Sequence, residues 1–337
     1  MHLPLWRSAG AIRMSFGALI DEATVAAACE RIERCGVALR ASCLLPSEHA
    51  SVPQDGVVQL GVDGACSWMV MDAGSRSCVV LDPLAELLPR IEAYVRCQNY
   101  QVRAILGTDA DAASVAARAE LAAALGRHFH ARPGQDACGW SAAGLDLGRW
   151  QLSCVPANAT GAAPRSYLLS EAGAPRMAFC ASAQQPGLLA ALSEDTLLCP
   201  TRDADNHFCT SAHALAHAEF AAADASLQLN ADELDNFLRA YPGARLIDVR
   251  EPYEFAATQA TAAGVGLPGG RAALSVPLSQ LSGRASEWLR GERVPLVFFC
   301  RSGNRSLKAA ELLRRLGYHQ SYNLSGGLAL APLALAA

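Results

Sequence analysis

The sequence has no apolar run approaching the roughly 18 residues that cross a bilayer, so no membrane-spanning helix and no membrane partner are expected. Its first twenty residues hold two arginines and scattered apolar side chains. They lack a continuous hydrophobic stretch and a small-residue cleavage site, which argues against a secretory leader. No Cys-x-x-Cys pair occurs among the 12 cysteines, and their spacing is irregular. The thiols are therefore read as reduced and the protein as cytoplasmic, not as a disulfide scaffold. Positive charge is not in excess: the formal net charge is −4, which leaves no footprint for nucleic acid. No internal repeat is evident. What is present, 337 residues of which 51% are hydrophobic and 18% charged, suffices for two packed α/β domains.

The most informative stretch is Cys300-Arg301-Ser302-Gly303-Asn304-Arg305-Ser306. It follows the apolar run Val294 to Phe299 and precedes the amphipathic run Leu307 to Leu316, so the spacing predicts strand, tight loop and helix. Such a loop sets a thiol in a cradle of backbone N–H groups at a helix start, where anions bind and a thiolate is favoured. Arg301 and Arg305 add positive charge on both sides. These are the parts a cysteine nucleophile needs to act on an anionic substrate. A buried inert thiol is the bland alternative, disfavoured by the arginines and the glycine.

The loop resembles the Cys-x-x-x-x-Arg-Ser active-site loop of rhodanese sulfurtransferases. Three further segments resemble that family in the same order: Leu246-Ile247-Asp248-Val249-Arg250-Glu251-Pro252-Tyr253-Glu254-Phe255, then Pro268-Gly269-Gly270 with Ser275-Val276-Pro277-Leu278, then Asn323-Leu324-Ser325-Gly326-Gly327. The likeness covers about residues 228–331. It departs at Thr258 to Gly266, which lacks the usual Gly-His-Ile lead-in, and at Leu330, where an aromatic is common. The resemblance implies a doubly wound parallel sheet, Cys300 as nucleophile and Arg305 as the residue closing the anion cradle. It also implies that Arg301, Ser302, Gly303, Asn304 and Ser306 contact substrate. Asp248 and Arg250 either form a structural ion pair at a strand end or perturb the nearby thiol; the sequence leaves both open.

Upstream, Cys66 to Asp72 and Ser77 to Asp82 are apolar-rich and joined by Ala73-Gly74-Ser75-Arg76, a hairpin signal. Helical spacing over Leu87 to Arg96, a strand at Gln101 to Leu106 and an alanine-rich helix ending near Gly126 follow. Further strands are predicted at Leu145 to Val155, Tyr167 to Ser170, Met177 to Cys180 and Thr196 to Cys199. Alternating strands and helices imply a layered α/β domain.

This order resembles the metallo-β-lactamase fold, and most nearly the persulfide dioxygenases, which occur fused to a C-terminal rhodanese. Val79-Val80-Leu81-Asp82-Pro83 is similar to the family's strand end. The metal motif Thr-His-x-His-x-Asp-His aligns with Thr108 to Ser114. It thereby puts Asp109, Asp111 and Ser114 at histidine positions and Ala113 at the aspartate. Later ligand turns align with Asn158, Ser182 and Arg202. The likeness covers about residues 56–215, and the ligand set is gone, so no metal and no cofactor are expected. Imidazole nitrogens and a carboxylate at an open face are what an iron or zinc centre needs. Asp109 and Asp111 could hold a hard cation only weakly, and one of them is better read as a helix N-cap. The pairs His128/His130 and His213/His217, and the lone His207, are read as a solvated face or surface strand. None falls at an aligned ligand position.

Residues 1–55 are read as a helical extension, capped by Asp21 or Thr24 and running through Val25 to Arg34, with a linker from Ser47 to Gly56. A degenerate metallo-β-lactamase-like αββα domain at 56–220 and a rhodanese domain at 228–331 follow. The function this implies is transfer of sulfane sulfur from thiosulfate or a low-molecular-weight persulfide to a thiol or cyanide through a Cys300 persulfide. The rival readings are a non-catalytic persulfide-sensing or sulfur-carrier module and, failing on its ligands, an active persulfide dioxygenase. A homodimer stays open.

Overall fold

The computed structural model describes residues 21–27, 29, 55–129, 139–140, 143–156, 165–183, 188–189, 192–203, 207–216, 227–252, 254–255 and 272–330. The expectations placed on Asn158, His130, His217, Tyr253, Pro268-Gly269-Gly270, Thr258 to Gly266, the segment 217–226 and most of the N-terminal extension lie outside them. At Asp21 the expected cap is present: its Oδ1 accepts from the Thr24 N–H at 2.7 Å.

The first sheet comprises β1 (Gly56–Val62), β2 (Ala65–Asp72), β3 (Ser77–Leu81) and, after helix α1 (Leu88–Cys97), β4 (Gln101–Leu106). Strands β1, β2 and β3 run antiparallel, and β3 pairs with β4 in parallel. The turn after β2 is fixed by Asp72, whose carboxylate accepts from Ser75 N at 2.7 Å. Because side chains alternate along a strand, Met69 and Met71 face one way and Trp68 and Val70 the other. The first pair joins a core with Ile91, Tyr94 and Val95 of α1 and with Leu121 and Leu125 of helix α2 (Ala112–Leu125). The second pair faces the next sheet.

That sheet holds β5 (Leu145–Leu147), β6 (Trp150–Pro156), β7 (Arg165–Glu171), β8 (Ala174–Cys180), β9 (Leu197–Pro200) and β10 (Thr210–Ser211), in the order β10-β9-β8-β7-β6-β5. Its inner side chains Leu152, Leu169, Met177 and Phe179 meet Trp68, Val70, Val79 and Leu81. Trp68 is fully buried and packs against Phe179 with ring centroids 5.6 Å apart and planes tilted by 57°. Burial of such a ring contributes about 2–3 kcal/mol, so this pair is a main bond between the sheets. The outer face of the second sheet carries Ala178, Cys180 and Leu198, packed with Leu188 and with Leu215 of the short helix α3 (Ala212–Ala216). Helix, sheet, sheet, helix is the layering of the metallo-β-lactamase fold.

The third sheet follows: β11 (Gln228–Leu229), helix α4 (Leu234–Ala240), β12 (Arg245–Asp248), β13 (Ala273–Ser275), helix α5 (Leu281–Arg290), β14 (Leu296–Phe299), helix α6 (Asn304–Arg315), β15 (Ser321–Leu324) and the turn of helix α7 (Gly327–Leu330). Its order is β11-β15-β14-β12-β13 and all its pairs are parallel. Every residue of β14 is buried, as expected for a parallel strand covered on both faces. Leu234 and Leu238 of α4 cover one face. Ala285 and Trp288 of α5 with Ala309, Leu312 and Leu313 of α6 cover the other.

The two parts share one core. Cys209 and Leu227 pack in the same cluster as Ile247, Leu281 and Ala285. Helix α5 crosses β1 at Gly283, where a Cβ would lie 3.2–3.3 Å from the N, O and Cβ of Val57. A side chain there would make the helix and strand give by a few tenths of an ångström, so glycine suits this close approach.

One expectation is corrected. His128 is not on a solvated strand: it ends a 3-10 turn, is 5% exposed, and its Nδ1 lies 3.0 Å from the Tyr100 carbonyl. Its partner Tyr100 lies 28 residues away, a contact that local alternation does not show.

Candidate active site around Cys300

Cys300 follows the last residue of β14, and Asp248 ends the neighbouring β12. Between these two strands the chain's winding reverses, since β13 lies on one side of β12 and β14 on the other. A crevice at the carboxyl ends of such strands is where open α/β sheets bind ligands.

The Cys300 side chain is 1% exposed. Its Sγ accepts from Gly303 N at 3.2 Å and from Ser306 Oγ at 3.6 Å. Burial pushes the thiol up, but the Ser306 hydroxyl and the backbone N–H groups of Ser306, Ser302 and Arg305 together outweigh it. The net result is a thiol pKa below the usual range, because donors aimed at the sulfur favour its charged form.

The loop's curvature needs Gly303, which has φ 92° and starts α6. The turn Gly326-Gly327 packs beneath. A Cβ on Gly303 would lie 3.0 Å from Gly326 N, and one on Gly327 would collide with the Cys300 carbonyl. That carbonyl accepts from Leu328 N at 2.9 Å, and the Arg301 carbonyl accepts from Ala329 N at 3.0 Å. The glycine turn thus grips the backbone carbonyls of the loop, while the N–H groups of Ser302, Gly303, Arg305 and Ser306 act on the sulfur. Leu330, where the resemblance expects an aromatic, is 69% exposed.

The arginines divide. Arg305 donates from Nη1 and Nη2 to Glu254 Oε2 and Oε1 at 2.6 and 2.8 Å. Its guanidinium is committed, and those hydrogen bonds hold its pKa above the ordinary value. Among the described residues Arg301 makes no side-chain hydrogen bond or ion pair, and it is exposed at the loop mouth beside Ser302. Asn304 opens α6 and is exposed. Asp248 and Arg250 join each other: the carboxylate accepts from Arg250 N at 3.0 Å, Nε at 2.9 Å and Nη2 at 2.6 Å, with both residues buried. The pair ties the backbone after β12 and is common to both readings given above.

Glu254 is the residue that sequence reasoning left without a role. It also accepts from Glu251 N at 3.0 Å, the reach-back of a capping box, so one side chain starts a helical turn and clamps Arg305. The Glu251-x-x-Glu254 spacing was the available signal. Burial raises the Glu251 pKa, against Arg90 of α1 and Arg305, which lower it. A first-domain charge therefore acts on the loop's surroundings.

At the other ligand turns, Asp111 caps α2, accepting from Ser114 N at 2.8 Å, as the cap reading expects. Asp109 bonds the adjacent Ala110 N–H. Ala113 and Ser114 are helical. Ser182 and Arg202 line a separate cavity with Asp203, His207 and Cys209. Among the described residues no three His, Cys, Asp or Glu side chains converge, and Arg202 brings a cation to a turn that would have to ligate one. These residues do not fit an iron or zinc centre. His207 and His213 are exposed and join no such cluster.

Comparison with known proteins agrees with this architecture. Residues 230–330 match the family model of the rhodanese-like domain. The chain is 40% identical over 93 residues to the uncharacterized protein YqhL of Bacillus subtilis (strain 168), covering 28% of this chain and 64% of that protein. It spans less than two thirds of the length of the curated relatives it matches. Among solved structures it is similar to the human single-domain sulfurtransferase TSTD1, with 32% identity, 30% of this chain and 90% of that one covered, and a TM-score of 0.23. It is also similar to ETHE1 from Myxococcus xanthus, with 17% identity, 47% and 80% covered, and a TM-score of 0.34. Residues 230–330 thus form a rhodanese-like domain, and the part before them has the helix–sheet–sheet–helix layering of the metallo-β-lactamase fold. No described helix is long and apolar enough to cross a membrane.

Proposed function

We propose that the protein is a sulfurtransferase in which Cys300 carries the sulfur and the first domain binds no catalytic metal. The Cys300 thiolate attacks the sulfane sulfur of thiosulfate or of a low-molecular-weight persulfide. The S–S bond of the donor breaks, and sulfite or a thiolate leaves with the electron pair. A thiol or cyanide then attacks the outer sulfur of the Cys300 persulfide, and the Cys300 thiolate is the leaving group. The N–H groups from Ser302 to Ser306 stabilise negative charge on sulfur throughout. Arg301 orients the oxygens of an anionic donor. Arg305 acts through Glu254, holding the first turn of α6 in place.

The observation that carries this reading is the sulfur itself, which accepts hydrogen bonds from Gly303 N and Ser306 Oγ in a six-residue loop. A loop that short suits a sulfur centre, whereas phosphatases of this fold use one residue more for the larger phosphorus. The test is turnover of thiosulfate with cyanide, alongside intact-mass detection of a 32-Da adduct after donor alone. Cys300→Ser should abolish both. Wild-type turnover by that variant would assign the nucleophile to another thiol. An adduct without turnover on any thiol or cyanide would favour a sulfur-sensing module.

A further inference from the structure

Strand β10 is the edge of the second sheet and pairs with β9 antiparallel, Thr210 opposite Leu198 and Ser211 opposite Leu197. The same register, carried back one residue, sets Cys209 opposite Cys199. Opposite residues of such a pair share a face. Both thiols accordingly lie in the core between the sheets, Cys199 fully buried and Cys209 1% exposed. The Cys209 N–H does not cross to β9 but turns back to the His207 carbonyl at 2.8 Å. Opposite residues without ladder hydrogen bonds are the closer kind, about 4.5 Å between Cα atoms, and a disulfide spans about 4.4–6.8 Å.

Two other described thiols lie near Cys199, and neither is placed as its partner. Cys180 of β8 is set beside Pro200 and packs on the outer face of the sheet with Leu188. Cys66 belongs to the facing sheet, where Gln59 Nε2 donates to its sulfur at 3.0 Å. The turn before Cys209 is held from both sides. Phe208 has φ 65°, uncommon for a bulky residue, and the Asp203 carboxylate accepts from its N–H at 2.9 Å. The His207 carbonyl also accepts from Nη2 of Arg315, the last residue of α6, at 2.7 Å. Cys209 forms part of the wall of the cavity that holds Ser182, Arg202 and Asp203, about 280 Å³ in volume. A reagent there meets Cys209 first and Cys199 behind it.

We propose that Cys199 and Cys209 are a dithiol that closes to a disulfide by exchange with a low-molecular-weight disulfide entering this cavity. The Cys209 thiolate attacks one sulfur of the reagent, whose S–S bond breaks and releases a thiolate. The Cys199 thiolate then attacks the Cys209 sulfur of the mixed disulfide, and the second reagent thiolate leaves. The two cysteine protons end on the two released thiols, so the dithiol is oxidised by two electrons and the reagent reduced by two. Burial pushes the Cys209 thiol up to about 11, so the exchange is slow at neutral pH and speeds as pH rises. It also requires β10 to open, and an edge strand of two residues opens at low cost. The product ties β10 to β9 and fixes the turn on which Arg315 rests. None of this depends on sulfur transfer at Cys300.

Non-reducing peptide mapping of the full chain under native conditions tests this, with oxidised glutathione as the reagent and rapid acid quenching. The expected result is a peptide pair joining Cys199 to Cys209, formed faster as pH rises and reversed by dithiothreitol. Cys300→Ser should form the same link. Cys199→Ser should instead stop with glutathione held on Cys209, and Cys209→Ser should leave Cys199 unreacted. If neither variant folds, thermal unfolding of the wild-type chain decides. A link that fits the native spacing leaves Tm equal or higher after oxidation, and a lower Tm means that the sulfurs are forced together. No link between these two residues, a link from Cys199 to Cys66, or glutathione on Cys199 in the Cys209 variant overturns the proposal.

Discussion

Glu254 holds both terminal nitrogens of Arg305, a residue of the Cys300 loop, at 2.6 and 2.8 Å. The arginine that the motif makes most prominent is thereby bound to protein. Arg301 is the loop arginine whose guanidinium makes no hydrogen bond or ion pair among the described residues.

From this division, Arg301→Ala should raise the KM for thiosulfate with little change in kcat. A charge-assisted hydrogen bond is worth about 1.5–3 kcal/mol, which gives about ten- to hundred-fold in kcat/KM. Arg305→Lys cannot keep both bonds to Glu254, because an ammonium is a point charge and a guanidinium a fork. It should lower kcat and thermal stability more than it raises KM. Steady-state kinetics in which Arg305→Lys raises KM far more than Arg301→Ala would show that the Glu254 pair opens for substrate.

The residues at the ligand turns make a metal expectation concrete. With Asp111 capping α2 and Arg202 among the cavity walls, the purified protein should carry no stoichiometric iron or zinc and consume no oxygen with glutathione persulfide. Elemental analysis finding about one tightly held transition metal per chain would overturn this.

Asp82 supplies a pH test. Its Oδ1 accepts from Thr108 N at 2.7 Å, whereas Oδ2 is buried without a partner, and burial raises its pKa from 3.8 to about 6. The folded state therefore holds the proton that the unfolded chain gives up near 3.8. Stability from this group is fully present below that pH and is lost as pH rises to about 6, a span worth about 3 kcal/mol at most. Asp82→Asn keeps the Thr108 bond and tolerates the residue's φ of 49°. Denaturant unfolding should find the variant more stable than wild type at pH 8, with the advantage fading between about pH 6 and pH 4. A difference independent of pH would rule out ionisation as its cause.

Gly283 tests the domain junction. Alanine in a helix is ordinarily worth about 1 kcal/mol over glycine, but here its Cβ would press on the Val57 backbone at 3.2–3.3 Å. Overpacking costs of about 1–3 kcal/mol should win, so Gly283→Ala should lower Tm. A higher Tm would mean that α5 shifts off β1 freely.

Much of this was legible in the chain. The hairpin at Ala73 to Arg76, the helices over Leu88–Cys97 and Asn304–Arg315 and the strand before Cys300 follow from local periodicity and turn chemistry, which act over a few residues. The N-caps at Asp21 and Asp111 were legible for the same reason. His128 was not, since its burial comes from Tyr100 and elements distant in sequence. The role of Glu254 was hidden as well: its partner is 51 residues away.

The sequence by itself determined the two α/β units, the Cys300 loop and the acidic and small residues from Asp109 to Ser114, because each is written in contiguous residues whose backbone preferences and chemistry are local. Only the tertiary structure decided that Glu254 holds Arg305, that Asp248 and Arg250 tie the chain to itself, and that Gly283 of α5 meets Val57 of β1. Charges and donors separated by tens of residues find or lack partners only once the sheets are packed, and a guanidinium can be spent on one carboxylate or offered to a ligand, but not both.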